Sequence, residues 1–423
     1  MNTTPKSLRL QIAIFGRTNV GKSSVLNMLA GQDVAITSPV PGTTTDVVEK
    51  SMELLPVGPV VFLDTAGLDD SSRLGALRTE RARKVFDRAD VALLVVEPSG
   101  WGACEDEIAA AALEKKIPLI VLVNKTDIAG PSPELAAVLA ARGLEPILCS
   151  AVTAGLREAA VSAVKDRLLK LARPVGAPGA ILGDLVAPGQ TVVFIIPIDK
   201  EAPKGRIILP QVQAMRDLLD HGVFFLTCRE HEYPAALAAL KAPPALVVCD
   251  SQVVDFMVRH TPEGVPCTTF SILFARLKGD LPAYAAGAAA IRALRPGDKL
   301  AVLEACSHHA IEDDIGRVKL PRWLRETAGG ELRIDTFAGH DLPADLGGYK
   351  LAVQCGGCML GRAEILNRMG KAAAAGIPIT NYGTAISECK GVLERVLSPF
   401  PEALTAYRAA KAAAGPAKDS GPV

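Results

Sequence analysis

The chain has 423 residues, of which 49% are apolar, and this length and composition predict two or three globular domains, each with its own core. Its 46 basic residues are balanced by 46 acidic ones, which argues against nucleic acid as a partner, because proteins that bind the phosphate backbone carry a basic excess. We find no signal peptide and no apolar run near the roughly 20 residues that cross a bilayer, so we expect a cytoplasmic protein without a membrane partner.

Residues 1–172 alternate short β-rich runs with helical patterns, an order that is typical of a parallel sheet covered by helices. The β-rich runs are Leu10–Phe15, Val60–Leu63, Val91–Val96 and Leu119–Val123. We therefore expect this segment to form one α/β domain.

A loop with the sequence Gly16-Arg17-Thr18-Asn19-Val20-Gly21-Lys22-Ser23 follows the first β-rich run and opens a helical run that starts at Ser24. This strand–loop–helix context is that of a phosphate-binding P-loop. The backbone amides from Gly21 to Ser24 would contact phosphate, Lys22 would reach the outer phosphates, and the Ser23 hydroxyl would ligate Mg2+. The loop predicts a nucleoside triphosphate site.

Asp64-Thr65-Ala66-Gly67 follows the second β-rich run and completes the phosphate end of the site. Asp64 would hold Mg2+ through water, and Gly67 would face the γ-phosphate. Together with Lys22 and Thr44, these two residues make up the predicted catalytic group.

A further motif, Asn124-Lys125-Thr126-Asp127, predicts which base is bound. The Asp127 carboxylate can accept two hydrogen bonds from the guanine edge, and adenine would leave it unsatisfied. We therefore predict GTP, with Asn124, Lys125 and Asp127 at the base and Ser150-Ala151 behind it.

These motifs resemble those of the TrmE–Era branch of translation-factor-type GTPases across the whole first segment, with Pro41-Gly42-Thr43-Thr44-Thr45-Asp46 as the first switch loop. The resemblance implies that Thr44 ligates Mg2+ and that K+ activates the protein, because Asn19 stands where the K+-dependent members have a cation-coordinating asparagine. Leu68 stands where Ras-like proteins have a water-orienting glutamine. We therefore expect slow hydrolysis, as in a timer or switch.

Two more series of strands follow a linker at residues 173–180 that is rich in Pro, Gly and Ala. We expect a scaffold domain at residues 181–268, a further domain at 269–406 and a disordered tail at 407–423. The predicted fold class is α/β, with a P-loop GTPase domain followed by two further α/β domains whose sheets are mainly parallel.

Three cysteines in the third segment form a second chemical motif: Cys306 follows one predicted strand, and Cys355-Gly356-Gly357-Cys358 follows another. Ligands of parallel sheets bind beyond the carboxyl ends of the strands, so neighbouring strands would bring the three thiols together. Three thiolates can hold a 4Fe-4S cluster with one iron open to a further ligand, and zinc held by the three cysteines and His308 is the alternative. The candidates for the fourth ligand are His308, His309, Glu312 and Asp313.

Two segments behind the TrmE–Era-type domain resemble the HydF family of iron–iron hydrogenase maturation GTPases. They are Cys306-Ser307-His308-His309-Ala310-Ile311-Glu312-Asp313-Asp314-Ile315-Gly316-Arg317 and Cys355–Leu360. The resemblance implies a homodimer whose dimerisation domain is residues 181–268 and whose 4Fe-4S domain is residues 269–406. It also implies that the protein receives a diiron precursor made with the radical-SAM maturases HydE and HydG and delivers it to apo iron–iron hydrogenase. Many members have histidine directly before the Cys-x-x-Cys pair, where this chain has Gln354, a poor iron ligand.

A second hypothesis comes from a different class of protein, the TrmE–Era-type GTPases of tRNA modification or ribosome assembly. Here the third domain would be an RNA module stabilised by zinc. Aromatic residues are only 4% of the chain, and no basic stretch is interleaved with them, which disfavours this hypothesis.

Overall fold

The computed structural model describes residues 6–31, 48–64, 84–172, 179–198, 207–305, 314–339, 341–343 and 345–414. The chain divides into two compact units, Met1–Ala177 and Pro178–Val423.

The first unit is built on a six-stranded sheet with the order β2-β3-β1-β4-β5-β6. Its strands are β1 (Leu10–Phe15), β2 (Val48–Leu54), β3 (Gly58–Asp64), β4 (Val91–Val96), β5 (Leu119–Val123) and β6 (Ile147–Leu148). The α-helices of the described residues in this unit include α1 (Lys22–Ala30), α2 (Ala103–Glu114), α3 (Pro133–Ala141) and α4 (Ala154–Ala172). All strand pairs are parallel except β2–β3, which is antiparallel.

The central strands are apolar on both sides because helices cover both faces of the sheet. Along β1, Ile12 and Ile14 join the core on one face, whereas Ala13 and Phe15 join the core on the other. Every residue of β4 is buried. Burial on both faces keeps these strands rigid, so the loops at their carboxyl ends are held in fixed positions.

The second unit contains two four-stranded parallel sheets, with the orders β10-β9-β7-β8 and β12-β11-β13-β14. The strands of the first are β7 (Thr191–Ile195), β8 (Phe224–Cys228), β9 (Leu246–Cys249) and β10 (Cys267–Thr269), and those of the second are β11 (Lys299–Leu303), β12 (Arg333–Phe337), β13 (Leu351–Gln354) and β14 (Ile379–Asn381). The α-helices are α5 (Leu209–Asp220), α6 (Tyr233–Ala238), α7 (Val254–His260), α8 (Phe270–Lys278), α9 (Leu281–Ala288), α10 (Leu320–Ala328), α11 (Arg362–Ala374), α12 (Tyr382–Cys389), α13 (Leu393–Val396) and α14 (Pro401–Ala413). The predicted fold class, a P-loop domain followed by mainly parallel α/β sheets, is confirmed.

The predicted start of a disordered tail at residue 407 is wrong. Helix α14 continues to Ala413, and Tyr407 is buried, with its hydroxyl donating a 2.6 Å hydrogen bond to the Glu388 carboxylate. The alanine- and lysine-rich composition that suggested disorder also favours a helix, and Tyr407 anchors that helix to the core.

None of the helices within the described ranges is long and apolar enough to span a membrane.

Gly287 in α9 lies directly against strand β14, and a Cβ at this position would lie 2.0 Å from the backbone oxygen of Ile379. Because the obstacle is backbone, we expect Gly287→Ala to lower the free energy of unfolding of the second unit by about 1–3 kcal/mol. Urea denaturation followed by circular dichroism would measure this change. Gly370→Ala is the matched control, since it lies exposed in α11 with nothing within 4 Å, and it should leave stability within about 1 kcal/mol of the parent. Equal effects of the two substitutions would contradict the packing described here.

Candidate functional site

The loop between β1 and α1 has the conformation of a phosphate-binding loop. Gly21 is the N-cap of α1, has φ of 94°, and offers no side chain to cap the first helical amides. Lys22 is 9% exposed and its Nζ donates 2.7 Å hydrogen bonds to the carbonyl oxygens of Gly16 and Arg17. A helix N-terminus with uncapped amides and an adjacent ammonium group favours an anion.

The Asn124–Asp127 motif is joined to this loop by direct hydrogen bonds. Asn124 Nδ2 donates to the Val20 carbonyl oxygen at 2.9 Å, and Lys125 Nζ donates to the Asn19 carbonyl oxygen at 2.8 Å. A Cβ on Gly21 would lie 2.3 Å from Asn124 Nδ2, so glycine is required for this close approach. The structure thus brings together two motifs that are about a hundred residues apart in sequence.

The Ser150-Ala151 segment lies beside the same motif. Thr126 Oγ1 donates a 2.9 Å hydrogen bond to the carbonyl oxygen of Cys149, which precedes Ser150. Ser150 Oγ accepts hydrogen bonds from the amides of Val152 and Thr153, which fixes the turn into α4. Asp127 is exposed and accessible to a base.

Asp64 is the last residue of β3 and lies at the phosphate end of the site. Burial raises the pKa of its carboxyl group, and the positive charges of Lys22 and Lys50 act in the opposite direction. A divalent cation would add to the two lysines in favouring the ionised form, so this carboxylate suits the predicted Mg2+. Ser23 and Ser24 lie in the first turn of α1, whereas Thr44, Gly67 and Leu68 lie outside the described residues.

One contact of the P-loop was not predicted. Arg17 Nε donates a 2.8 Å hydrogen bond to Oε1 of the fully buried Glu105, at the start of α2. The other carboxylate oxygen of Glu105 accepts from the Gly102 amide at 2.8 Å. The two partners are 88 residues apart, and Glu105 stands in no recognisable motif, so only the fold reveals the pair.

The Cys-x-x-Cys loop begins at the carboxyl end of β13, next to the end of β11. Strands β11 and β13 are parallel neighbours with Leu303 opposite Gln354. The Cys355 amide donates to the Leu303 carbonyl oxygen at 2.9 Å, and the Ala305 amide donates to Cys355 Sγ at 3.0 Å. The predicted adjacency of the two strand ends is therefore present among the described residues.

The Cys355 sulfur is surrounded by N–H donors. Besides the Ala305 amide, the Gly357 amide lies 3.4 Å and Gln354 Nε2 lies 3.5 Å from Sγ. Burial raises the pKa of the Cys355 thiol to about 11, and the hydrogen bonds from Gly357 and Ala305 oppose this shift. A metal ion replaces the thiol proton on binding, and N–H groups directed at sulfur stabilise the resulting thiolate. The donor set around Cys355 therefore fits a thiolate-bound metal or iron–sulfur cluster.

Gln354 takes part in this environment as a hydrogen-bonding group. It is 1% exposed, its Nε2 also donates to the Leu303 carbonyl oxygen at 3.1 Å, and its Oε1 accepts from Arg368 Nη1 at 3.2 Å. Arg368 is equally buried and pairs with Glu364 at 3.1 Å. Both polar atoms of the Gln354 amide thus have protein partners.

Lys278, the last residue of α8, lies buried beneath the same loop. Its Nζ donates to the carbonyl oxygens of Gly357 at 2.7 Å and Leu360 at 3.1 Å. Burial lowers the pKa of Lys278 to about 8, and the nearby Cys358 and Cys355 oppose this shift. The sequence gives no signal for this contact, because a lysine in the last turn of a helix is common on electrostatic grounds alone.

The remaining predicted ligands lie outside the described residues: Cys306, His308, His309, Glu312 and Asp313. Within the described ranges, no three or more His, Cys, Asp or Glu side chains form a metal-binding group. Cys358 is half-buried, and helix α11 begins at Arg362, four residues further along the chain.

Comparison with known proteins matches residues 11–125 to the 50S ribosome-binding GTPase family, 181–279 to the hydrogen maturase F dimerization domain and 282–399 to the hydrogen maturase F tetramerization domain. The chain is also similar to the tRNA modification GTPase MnmE of Synechococcus sp. (strain JA-2-3B'a(2-13)), with 43% identity over 137 residues, 30% of this chain and 28% of that protein. For MnmE of Nitrosospira multiformis the identity is 39% over 164 residues, 38% of this chain and 34% of that protein. The chain thus spans about a third or less of these relatives.

Among solved structures, a single-residue variant of Era from Aquifex aeolicus bound to GDP.AlF4- is 23% identical with a TM-score of 0.33, covering 55% of this chain and 98% of that chain.

The P-loop, the Asn-Lys-x-Asp motif and the six-stranded sheet define the first unit as a P-loop GTPase domain. The two hydrogen maturase F matches lie entirely in the second unit and together cover more than half of the chain. The chain belongs to the hydrogen maturase F family. Since the matched domains are named for dimerization and tetramerization, the comparison supports an oligomeric protein.

We expect Asp127→Asn to weaken GTP binding by about 10- to 100-fold, because an amide cannot accept both guanine N–H groups. The same substitution should strengthen binding of xanthosine triphosphate, whose C2 oxygen can accept from the new amide. Fluorescence titration with both nucleotides would measure the change. Asp166→Asn, an exposed change in α4, is the control and should bind GTP as the parent does. Equal GTP affinity in both variants would exclude Asp127 from the base site.

Proposed function

We propose that this protein is a GTP-hydrolysing scaffold that binds a 4Fe-4S cluster and carries the diiron precursor of the hydrogenase active site to apo iron–iron hydrogenase. The cluster would be held by Cys306, Cys355 and Cys358, with His308, Glu312 or Asp313 as the fourth ligand. In this proposal residues 181–268 form the dimerisation domain of a homodimer and residues 269–406 form the cluster domain. The radical-SAM maturases HydE and HydG would supply the precursor in the cytoplasm.

One observation carries the proposal: the Ala305 amide donates to the Cys355 sulfur at 3.0 Å. Ala305 directly precedes Cys306 in the sequence, and Cys306 itself lies outside the described residues. Cys358 follows within the same loop. These constraints support a shared site for the three thiols.

The residues in and around this loop would perform two tasks for a bound cluster. Cys355 and Cys358 would ligate it as thiolates, and the Ala305 and Gly357 amides and Gln354 would stabilise the Cys355 thiolate. When bound, a cluster held by three thiolates supplies one iron with an exchangeable ligand, which a bridging ligand of the diiron precursor can replace.

In the first unit, the chain's own residues would bind and orient GTP. The amides from Gly21 to Ser24 and the Lys22 ammonium would hold the phosphates, and Ser23, Thr44 and Asp64 would hold Mg2+. Gly67 would face the γ-phosphate, and Leu68 would leave the attacking water without a glutamine to orient it, so hydrolysis would be slow. Such a rate suits a switch that changes state once per delivery.

The alternative is a GTPase of tRNA modification or ribosome assembly with a structural zinc site at the same cysteines. Similarity to tRNA modification GTPases favours it, but for MnmE of Synechococcus sp. (strain JA-2-3B'a(2-13)) that similarity covers 30% of this chain, whereas the hydrogen maturase F domains match residues 181–279 and 282–399. Binding of RNA at moderate salt together with one zinc per chain would favour this alternative over the cluster scaffold.

We expect the two sites to be separable by substitution. Cys355→Ser should abolish cluster binding and hydrogenase activation while GTP hydrolysis persists, because the thiol lies in the second unit. Lys22→Ala should abolish GTP hydrolysis because it removes the phosphate contact, and it should leave the iron content unchanged because Lys22 belongs to the P-loop of the first unit. Iron analysis, phosphate release and activation of apo-hydrogenase would be measured for each variant.

Cys389→Ser is the control for the cysteine substitution. It changes a half-buried thiol of the second unit at the end of α12 and should preserve all three readouts. Normal hydrogenase activation by Cys355→Ser would contradict the cluster proposal.

Potassium should stimulate GTP hydrolysis through Asn19. Asn19 has φ of 65°, a region that asparagine and glycine tolerate, so Asn19→Gly removes the side chain without straining the loop. We expect this variant to hydrolyse GTP equally in KCl and NaCl, whereas the parent should be faster in KCl. Phosphate release in the two salts at equal ionic strength measures this difference, and persistent stimulation in the variant would show that Asn19 does not hold K+.

A further inference from the structure

The buried side chain of Lys278 donates hydrogen bonds to the Cys355–Leu360 loop. Lys278 is 3% exposed, and its Nζ lies 2.7 Å from the Gly357 carbonyl oxygen, 3.1 Å from that of Leu360 and 3.5 Å from that of Cys358. Burying an ammonium group is costly unless hydrogen bonds compensate it. Here the compensation comes from the backbone of the loop that carries both cysteines.

The partners of Lys278 favour the protonated amine. All three oxygens are acceptors, and the Phe274 ring, 5.8 Å away, also presents electron density to a cation. A neutral amine would direct its lone pair at one of these groups. No described carboxylate pairs with Lys278, so its charge is balanced only by dipoles and remains effective at the neighbouring thiols.

The opposite end of the loop is held by a reciprocal contact. Arg362, the first residue of α11, donates from Nη1 to the Leu277 carbonyl oxygen at 2.9 Å, with the Gly279 carbonyl oxygen at 3.4 Å. Lys278 of α8 thus donates hydrogen bonds to the loop, and Arg362 of α11, the helix that follows the loop, donates hydrogen bonds to the end of α8. Between these contacts Gly357 has φ of 62°, and a Cβ there would lie 2.8 Å from Ile365 Cδ1. The loop conformation is therefore determined from both ends.

We propose that Lys278 is the positioning residue of the Cys355–Leu360 loop: its ammonium group fixes the loop so that both thiols are presented to the cluster, and its charge offsets the charge of the thiolates and bound cluster. The inference rests on the proposed function for the cluster, whereas the positioning of the loop is a property of the metal-free protein.

Three variants and a control separate these roles. Lys278→Met removes the donors and the charge, Lys278→Gln keeps an amide donor without the charge, and Lys278→Arg keeps both. Lys371→Met changes an exposed lysine of α11 and is the control. Hydrogen exchange of the metal-free proteins would be measured over residues 356–360, and the midpoint potential of the reconstituted cluster by EPR-monitored titration.

We expect Lys278→Met to exchange at least about tenfold faster over residues 356–360, because the hydrogen bonds that hold the loop are lost. Its cluster, and that of Lys278→Gln, should have a more negative midpoint potential, since the reduced cluster carries an additional negative charge. Lys278→Arg should restore the parent potential, and Lys371→Met should match the parent in both measurements.

The two proposals fail in different ways. If the parent protein takes up no cluster, the proposed function fails, whereas parent-like exchange in Lys278→Met overturns the positioning role in the same metal-free samples. Parent-like potentials in both Lys278→Met and Lys278→Gln would overturn the electrostatic role. If Lys278→Met does not fold, Lys278→Gln and Lys278→Arg still decide the charge question, and faster exchange in Lys278→Gln confined to residues 356–360 supports the positioning role.

Discussion

The parallel pairing of β11 with β13 is the constraint on which the second unit's chemistry depends. With Leu303 opposite Gln354, the two strands end together, and the Ala305 amide reaches the Cys355 sulfur. A slip of one residue would turn the side chains of β13 to the opposite face and separate these groups. Leu351, Ala352 and Val353 are completely buried, so packing on both faces fixes the register.

The two units contain a similar local structure, in which a buried lysine contacts the loop that holds the predicted ligand-binding residues. In each, a buried strand leads through a short glycine-containing loop to a helix, and the Nζ of a buried lysine binds carbonyl oxygens of that loop. Lys22 belongs to the helix that follows its own loop, where it can turn to phosphate, whereas Lys278 comes from a separate helix. The first arrangement suits a ligand that comes and goes, and the second suits a permanent support for thiolates.

The sequence predicted those features that depend on local pattern. Strands β1, β4 and β5 occur at the predicted residues because each is a short and mostly apolar run. Strand β2, an edge strand that pairs antiparallel with β3, was missed because three consecutive polar residues, Glu49-Lys50-Ser51, interrupt its apolar positions. Contacts between distant segments could not be predicted: Lys278 is 79 residues from Gly357, and no periodicity or motif connects them. The P-loop residues could be predicted from a short sequence motif. The neighbouring ends of β11 and β13 could be predicted from the rule that ligands bind beyond the carboxyl ends of parallel strands.

The most direct test of the central claim is metal analysis of protein reconstituted anaerobically with iron and sulfide, together with EPR of the reduced protein, for the parent and Cys358→Ser. A scaffold built on three thiols predicts about four irons and about four sulfides per chain, with an S = 1/2 signal that the variant loses. One zinc per chain with no cluster signal would contradict the account and favour a structural metal site.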